Sequence, residues 1–361
     1  MEHLSKILSH FLLSGTADQI EPLGNGLIND TYRATTREAT EPDYVFQRIN
    51  NNVFTDVDLL QHNIEAVTAH IRRKLEADHT DDIERRVLRF VPTREGKTYY
   101  QAEDGTYWRV SVFIPRARTL ELVDPTSSRF AGEAFGHFEA MLTDLTEPLG
   151  ETIPDFHNME LRIRQLREAV DADAAGRLAS VQPLVDQIEQ HADDMCKAER
   201  MHREGLLPKR ICHCDTKVNN MMFNEQGDVL CVIDLDTVMP SYVFSDYGDF
   251  LRTAANTVAE DSPELDKIAF RMDIFRAFTE GYIHATRPFL TPVERDNLPY
   301  AAALFPYMQC VRFLADYING DTYYKTAYAD HNLVRARNQW RLFESATDQA
   351  PAMHRFIDSL T

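Results

Sequence analysis

The side chains best suited to chemistry lie in one short segment just past the middle of the chain. Asp215 and Asn220 are five residues apart within residues 213–220, and Asp234 follows fourteen residues after Asn220. The intervening pattern of strand, turn and strand predicts a β-hairpin, which would return the chain to its starting point and bring the three side chains together. Carboxylate and amide oxygens suit Mg²⁺, which also binds phosphates. The spacing therefore predicts a magnesium site.

A second acid follows the first on the strand that leaves the hairpin. Asp236 lies two residues beyond Asp234, and alternate residues of a strand share a face. We therefore predict Asp236 as a further metal ligand. For any one of these acids taken alone, the alternative interpretation is a polar turn that flanks a hairpin.

The elements that must position these residues change in character at Pro115. Before it, helices are predicted at 4–13 and 57–74, and strands at 31–36, 44–49, 86–91, 98–102 and 108–114. After it, helices are predicted at 129–143, 158–171, 180–202, 266–284, 293–318 and 331–346, with the hairpin strands at 221–223 and 229–233. We predict an α+β fold with a β-rich region of residues 1–115 and a mainly helical region of residues 116–361.

Composition limits the class of protein. The 361 residues carry a net charge of −19, which repels nucleic acid and anionic membranes. We expect neither as a partner; an anionic substrate would need local positive charge, most simply a bound cation. The five cysteines form no C-x-x-C pair and Glu2 argues against a signal peptide, so we expect a cytoplasmic protein. The apolar stretch 300–318 contains Arg312 and Asp316, which predicts a buried helix instead of a membrane span.

The central segment resembles the catalytic and metal-binding segments of the protein-kinase-like superfamily. The resemblance lies in His213-x-Asp215, Asn220 and the acid at Asp234, and it is closest to the aminoglycoside phosphotransferase and choline kinase branch. Within that branch, further segments resemble the N-acetylhexosamine 1-kinases: Gly24 to Asn29, Ile233 to Pro240, Asp246 to Asp249, Arg312 to Tyr317 and His331 to Arg335. The resemblance covers nearly the whole chain, and the blocks occur in the same order.

The resemblance implies a two-lobe kinase fold that binds ATP and Mg²⁺ in the cleft between its lobes. It implies that Asp215 contacts the substrate and accepts the proton of the attacking hydroxyl. Asn220 and Asp234 match the two metal ligands of the superfamily. Lys217 matches a lysine near the transferring phosphoryl group, where its charge would stabilise the transition state.

The nucleotide-binding residues include one departure from the superfamily. Gly24, Asn25 and Gly26 resemble a loop whose backbone N–H groups approach phosphates. The strand Tyr44 to Gln47 aligns with the strand that carries the phosphate-binding lysine, and Gln47 replaces that lysine. The resemblance implies that the N-acetylhexosamine kinases share this glutamine. Glu65 is the candidate for the glutamate that normally pairs with the lysine, or else it is a solvated surface residue.

The predicted acceptor residues are Arg312 and Tyr323, which correspond to residues that reach the sugar in the resembled family. Arg312 lies in an apolar helix, where an unpaired charge would be costly. Asp316, one turn further on, offers an ordinary explanation, an i,i+4 ion pair. Arg312 is therefore either paired with Asp316 or available to a ligand.

These residues together predict an ATP- and Mg²⁺-dependent kinase that phosphorylates the anomeric 1-hydroxyl of GlcNAc or GalNAc. One alternative keeps the fold and changes the acceptor to choline, homoserine or an aminoglycoside. Another is a non-catalytic nucleotide-binding protein, which the missing lysine at Gln47 supports. A two-metal phosphohydrolase would need more His and Asp ligands than this segment supplies.

Overall fold

The computed structural model describes residues 2–24, 28–120 and 123–360. It forms two compact units, and each contains more than one stretch of sequence. The first, here called the sheet unit, comprises Met1–Thr119, Asp144–Pro154 and Met221–Met239; the second, the helical unit, comprises Leu120–Thr143, Asp155–Asn220 and Pro240–Thr361. The continuous regions predicted above, 1–115 and 116–361, remain a prediction.

The order of helices and strands along the chain is that of an α+β fold, which confirms the predicted fold class. Within the described ranges the strands are β1 (Ala17–Pro22), β2 (Asp30–Thr36), β3 (Tyr44–Ile49), β4 (Tyr99–Gln101), β5 (Tyr107–Val112), β6 (Arg210–Cys212), β7 (Met221–Phe223), β8 (Val229–Val232) and β9 (Met239–Ser241). The helices are α1 (Glu2–Leu8), α2 (Val57–Ala77), α3 (Ile83–Arg86), α4 (Pro125–Met141), α5 (Met159–Ala172), α6 (Leu178–Met195), α7 (Lys197–Arg203), α8 (Val243–Ala254), α9 (Met272–Thr286), α10 (Pro292–Asp296), α11 (Leu298–Ile318) and α12 (His331–Asp358).

The sheet unit is built on a five-stranded antiparallel sheet with the strand order β1-β2-β3-β5-β4. Tyr44 and Phe46, two residues apart on β3, are buried, so this face of the strand meets the core. Phe46 of this face stacks on Trp108 of β5 with ring centroids 4.7 Å apart. In the β3–β5 register Gln47 lies opposite Arg109, which places two polar side chains on the other face.

Helix α2 and the hairpin complete the parts of the sheet unit that bear on the site. The Asp56 carboxylate caps α2 by accepting the Leu59 N–H at 2.9 Å. The predicted hairpin is confirmed, since β7 and β8 pair antiparallel. Its strand β8 buries Leu230 and Cys231 in one apolar cluster with Ile114, and this burial explains why the hairpin belongs to the sheet unit.

Some predicted elements differ from the structure. The strand predicted at 86–91 is wrong, because the stretch after α3 bridges β5 only at Phe90 and Ser111 while β4 takes the neighbouring part of that edge. The helix predicted at 180–202 divides at Cys196 into α6 and α7, and the one predicted at 293–318 divides at Asn297 into α10 and α11. Helix α8 was not predicted.

Close helix packing forms the helical unit. Where α4 meets α9, a Cβ at Gly132 would lie 2.1 Å from the Phe278 carbonyl oxygen, and one at Gly281 would lie 2.2 Å from the Arg129 carbonyl oxygen. Only glycine permits this approach. Helix α11 is buried along nearly its whole length, as the apolar stretch predicted. In the described part of the chain, no helix has the length and apolarity needed to cross a membrane.

Candidate active site

The candidate catalytic loop, residues 213–220, lies in the helical unit and is held by hydrogen bonds to α8. The Asp246 carboxylate is fully buried and accepts the backbone N–H groups of His213 at 2.8 Å and Cys214 at 2.7 Å. Cys214 has a φ of +63°, a left-handed conformation that costs a non-glycine residue energy and persists only where the surroundings impose it. The two hydrogen bonds to Asp246 impose it here, and Asp215 is the next residue.

A second carboxylate of α8 fixes the residue after Asp215. The Thr216 N–H donates to Asp249 at 3.1 Å, and the Thr216 hydroxyl donates to the Asp246 carbonyl oxygen at 2.7 Å. His213 is fully buried, packs edge-on against Phe135, and its Nδ1 accepts the Asp215 N–H at 3.3 Å. Asp215 is therefore held by backbone hydrogen bonds on both sides of it.

Three of the predicted site residues come together on this loop. Lys217 places its Nζ 2.5 Å from Oδ1 of Asp215. The Asn220 amide donates to the Asp215 carbonyl oxygen at 2.8 Å and to its Oδ2 at 3.2 Å. Burial acts to raise the pKa of Asp215, but the Lys217 ammonium, His213 and Asn220 outweigh it and the pKa is lowered. Asp215 is thus an ionised, oriented carboxylate.

Asn220 and Asp234 have the atoms that a divalent ion requires. Because both hydrogen bonds of Asn220 use its amide nitrogen, its carbonyl oxygen faces no described donor and suits a hard cation. Asp234, in the sheet unit, is exposed and has a left-handed backbone at φ 59° and ψ 61°, at the start of the 3₁₀ turn Leu235–Thr237. The donor chemistry fits a Mg²⁺ or Ca²⁺ ion.

Asp236 has a different environment from the one predicted for a metal ligand. Its side chain is buried, Oδ1 lies 2.5 Å from Nη1 of Arg109, and Oδ2 accepts the Asn29 amide at 2.6 Å. Oδ2 is therefore hydrogen-bonded and Oδ1 is in ion-pair contact only, both with side chains of the sheet unit. Sequence reasoning did not identify Arg109.

The nucleotide-binding residues predicted in the sheet unit are described only in part. Gly24 has a φ of +69°, which favours glycine, whereas Asn25 and Gly26 lie outside the described residues. Gln47 donates to the Thr31 hydroxyl at 3.1 Å and accepts from Nε of Arg109 at 3.0 Å. Glu65 is exposed and accepts a hydrogen bond from the Thr98 hydroxyl, in agreement with the surface interpretation.

The structure bears on one of the two interpretations of Arg312, the ion pair with Asp316. Asp316 accepts the backbone N–H groups of residues 322, 323 and 324 and the amide of Asn332, at 2.8–2.9 Å. No described carboxylate lies within 4 Å of Arg312, so the i,i+4 ion pair with Asp316 is not formed. Instead Arg312 donates to Gln309 at 3.2 Å and lies over the ring of Tyr323, 6.0 Å from its centroid. Arg312 and Tyr323, the two predicted acceptor residues, are thus neighbours; their role in binding an acceptor stays a prediction.

Residues that the sequence did not single out surround Arg312 and Tyr323 in the helical unit. Arg162 has no described carboxylate partner, and no described acceptor reaches its Nε. Burial and the neighbouring Arg312 lower the pKa of Arg162 to about 10. Burial and the same two arginines hold the pKa of His157 well below its usual value, and its Nδ1 likewise has no described partner. We call Phe156, His157, Arg162, Arg312, Tyr323 and Tyr324 the arginine cluster.

Arg252 connects the arginine cluster with the catalytic loop. It pairs with Asp249 at 3.3 Å and also with Glu260. Its charge contributes to the low pKa of His157 and acts on Lys217 as well. The cluster and the catalytic loop are therefore within electrostatic range of the same buried guanidinium.

A buried carboxyl beneath the loop also went unrecognised in the sequence. Glu139 of α4 is buried, accepts the Tyr282 hydroxyl at 2.7 Å, and has a carboxylate oxygen within 4.8 Å of one on Asp246. Burial and the Asp246 charge raise the pKa of Glu139 well above its usual value. Two buried carboxyls at this distance favour a single shared charge, with Glu139 protonated and Asp246 the better acceptor for the loop.

Known proteins resemble this chain in sequence pattern and in fold. A protein-family model described as the phosphotransferase enzyme family (APH) matches residues 19–289. The chain is similar to an amicoumacin kinase in complex with AMP-PNP and Ca²⁺, with 14% identity over 95% of this chain and 93% of that one and a TM-score of 0.62. It is similar to an aminoglycoside phosphotransferase from Alicyclobacillus acidocaldarius, with 14% identity over 98% and 96% of the two chains and a TM-score of 0.61. A choline kinase from Cryptosporidium parvum has 13% identity, covers 94% and 92%, and has a TM-score of 0.56.

Identities this low show the fold alone. They confirm the predicted fold class, a protein-kinase-like fold with a small antiparallel sheet and a larger mainly helical part. The family match covers three quarters of the chain and contains the candidate catalytic loop, the hairpin and Gln47.

Proposed function

Because the chain belongs to the phosphotransferase enzyme family, we propose that it transfers the γ-phosphate of ATP to the anomeric 1-hydroxyl of an N-acetylhexosamine such as GlcNAc or GalNAc. The family membership confirms the predicted enzyme class, a phosphotransferase. The observation that carries the proposal is the Asp215 carboxylate, kept ionised by Lys217 and oriented by Asn220.

Asp215 is the proposed catalytic base. The acceptor oxygen forms a bond to the γ-phosphorus of ATP while the bond from that phosphorus to the β,γ-bridging oxygen breaks, and the hydroxyl proton passes to Asp215. An anomeric hydroxyl is more acidic than an ordinary alcohol, so a carboxylate of lowered pKa is a sufficient base. Its ionised form is fully populated at neutral pH, and the backbone bonds around it reduce the cost of orientation.

Asn220 and Asp234 are the proposed ligands of a magnesium ion. When bound, the ion would neutralise charge on the phosphates. The chain's own contribution is the Asn220 amide, which orients its carbonyl oxygen by donating to Asp215, and the exposed Asp234 carboxylate. Lys217, beside Asp215, adds positive charge where the transferring phosphoryl group would develop negative charge.

The arginine cluster supports a neutral acceptor rich in hydrogen-bond acceptors. Two guanidinium groups without described carboxylate partners, Arg162 and Arg312, would repel the cationic acceptors of aminoglycoside and choline kinases. They can donate to sugar hydroxyl and acetamide oxygens. The exposed ring of Tyr323 offers an apolar face for the sugar. The three aromatic rings alone would suit a quaternary ammonium, but the Arg312 guanidinium already lies over each of them.

The test is an acceptor panel with purified protein, ATP and Mg²⁺. GlcNAc, GalNAc, glucose, homoserine, choline and an aminoglycoside are compared by ADP release, and ³¹P NMR locates the phosphate. We expect GlcNAc or GalNAc to be preferred and the product to be the 1-phosphate. Preference for choline or the aminoglycoside would contradict the proposed acceptor, and ATP binding without a phosphorylated product from any acceptor would favour the non-catalytic alternative.

A further inference from the structure

The sheet unit contains a buried ion pair that the proposed reaction does not use. Arg109 of β5 is 2% exposed and Asp236 is 3% exposed, and their charged atoms lie 2.5 Å apart. Removing two charges from water costs several kcal/mol, and the attraction between them repays this only with good geometry and further hydrogen bonds. Further hydrogen bonds are present, because Arg109 also donates to Gln47 and Gln61 at 3.0 and 3.4 Å and Asp236 accepts the Asn29 amide at 2.6 Å. Oδ1 of Asp236 is held by the ion pair alone, without a hydrogen bond of good geometry.

Arg109 lies directly opposite the position where the superfamily has its lysine. The register pairs Gln47 with Arg109 across neighbouring strands, and Nε of Arg109 donates to the Gln47 side chain. The sheet therefore has a cation next to this position although Gln47 itself is neutral. The glutamine holds the guanidinium, which a lysine at that position would repel.

Asp236 connects Arg109 with the turn that presents Asp234. The Asp236 carbonyl oxygen accepts the Thr152 hydroxyl at 2.9 Å, while its carboxylate binds Arg109 and Asn29. Asn29 in turn accepts the Asn50 N–H at 2.9 Å through its own side-chain oxygen. Side chain and backbone of Asp236 are thus fixed together, two residues after Asp234 and its left-handed backbone.

We propose that Arg109 is a positioning residue for the metal turn and that Asp236 is its anchor and not a metal ligand. The proposal rests on the proposed function, in which Asp234 binds the metal ion. Arg109 holds Asp236, and Asp236 fixes the turn in which Asp234 adopts its strained conformation. The cation that the superfamily has on β3 is here on β5, and it acts through a carboxylate.

The positioning role and simple electrostatics predict opposite effects of removing Arg109 on the affinity for a divalent cation. If Arg109 acted only through its charge, Arg109→Met would strengthen the binding of a divalent cation nearby, because a positive charge is removed. Arg109→Met would also strengthen cation binding if Asp236 were a metal ligand, because the substitution would release the Asp236 carboxylate from its ion pair. If Arg109 positions the turn, the same substitution weakens binding, as loss of an outer partner of a metal site typically does by about 10- to 100-fold.

The experiment measures Mn²⁺ binding in the presence of ADP by EPR, which needs no turnover, for the wild type, Arg109→Met, Asp236→Asn and the double variant. We expect both single variants to bind Mn²⁺ at least about tenfold more weakly, and the double variant to be no weaker than the weaker single variant. Thermal unfolding is followed in parallel. Arg33→Met is the matched control, because Arg33 pairs with Asp43 at 2.6 Å in the same unit but outside this network, and it should bind Mn²⁺ like the wild type.

Three results would overturn the proposal. Mn²⁺ binding by Arg109→Met that is equal to or tighter than in the wild type would exclude a positioning role. Weaker Mn²⁺ binding by Asp236→Asn, without any weakening in Arg109→Met, would make Asp236 a metal ligand. If Arg109→Met does not fold, the double variant replaces it, because that variant leaves no unpaired buried charge. Wild-type Mn²⁺ affinity in the double variant would show that the ion pair only stabilises the fold. Failure of the wild type to bind Mn²⁺ with ADP would instead contradict the proposed function.

Discussion

The ammonium nitrogen of Lys217 lies 2.5 Å from a carboxylate oxygen of Asp215. Both residues belong to a loop whose backbone is hydrogen-bonded to carboxylates of α8. Each partner favours the charged form of the other. Asp249 adds to the effect, because its charge helps raise the pKa of Lys217 although burial acts in the opposite direction. The pair therefore stays ionised, which provides a base and a cation side by side.

Replacing Lys217 by Met should change the pH dependence of the reaction as well as its rate. Without the ammonium the pKa of Asp215 rises, and activity needs the carboxylate form. The acid limb of the profile of kcat/KM against pH should therefore move to higher pH, and kcat should fall by about a hundredfold or more. Steady-state rates from pH 5 to 9 measure both effects.

Lys267→Met serves as the control, since Lys267 pairs with Glu264 on an exposed 3₁₀ turn of the helical unit. It should leave the pH profile unchanged. If the acid limb of Lys217→Met coincides with that of the wild type, Lys217 does not control the ionisation of Asp215.

Glu139→Leu should destabilise the protein more than Glu139→Gln. A glutamine amide can still donate to Asp246, as the protonated carboxyl does, whereas leucine leaves the buried Asp246 charge without that donor. We expect a loss of about 1–3 kcal/mol in the free energy of unfolding for leucine relative to glutamine. Urea unfolding measures it, and equal stability of the two variants would show that the carboxyl pair shares no proton.

Arg312→Met should raise KM for the acceptor at least about tenfold, since a hydrogen bond from a charged donor contributes about 1.5–3 kcal/mol. KM for ATP should stay constant, because Arg312 belongs to the arginine cluster. Arg276→Met is a matched control, as Arg276 lies over the Phe356 ring, 5.7 Å from its centroid, elsewhere in the helical unit. An increase in KM for ATP with no change for the acceptor would remove Arg312 from the acceptor site.

Glu199 should make stability fall as pH rises. Burial raises its pKa to about 7 from an ordinary value of 4.5. Between these values the unfolded chain releases the proton first, so the folded state binds more protons and the free energy of unfolding declines with pH. At 1.36 kcal/mol per pKa unit the decline is about 3 kcal/mol, complete above pH 7.

Glu199→Gln lacks this titration, so the stability of the wild type relative to the variant should be lower at pH 8 than at pH 5. Urea unfolding at the two pH values gives the difference, and the exposed Glu168→Gln is the control. A stability difference between the wild type and Glu199→Gln that does not change with pH would place the Glu199 carboxyl in water.

Local patterns predicted much of the fold and part of the site. The hairpin and α2 were predictable because alternation and helical periodicity are local signals, and Asp215, Lys217 and Asn220 lie on one short loop. Helix α8 was not predicted, although Val243, Tyr247 and Leu251 are spaced as in a helix. Its polar face, with Asp246 and Asp249, is buried as well, which no local pattern indicates.

Partners that are distant in sequence were beyond the reach of local patterns. Nothing near Arg109 indicates that it pairs with Asp236, and nothing near Glu139 indicates its approach to Asp246. The i,i+4 rule suggested the wrong partner for Arg312, because Asp316 binds the backbone of the following loop.

The central claim, that Asp215 is the base for phosphoryl transfer, is tested most directly by Asp215→Asn with GlcNAc, ATP and Mg²⁺. The asparagine keeps the shape of the side chain and removes the proton acceptor. We predict that formation of the sugar 1-phosphate, followed by ³¹P NMR, falls by about 10²- to 10⁴-fold, while ADP binding measured by calorimetry stays close to that of the wild type. Product formation at the wild-type rate by this variant would contradict the claim.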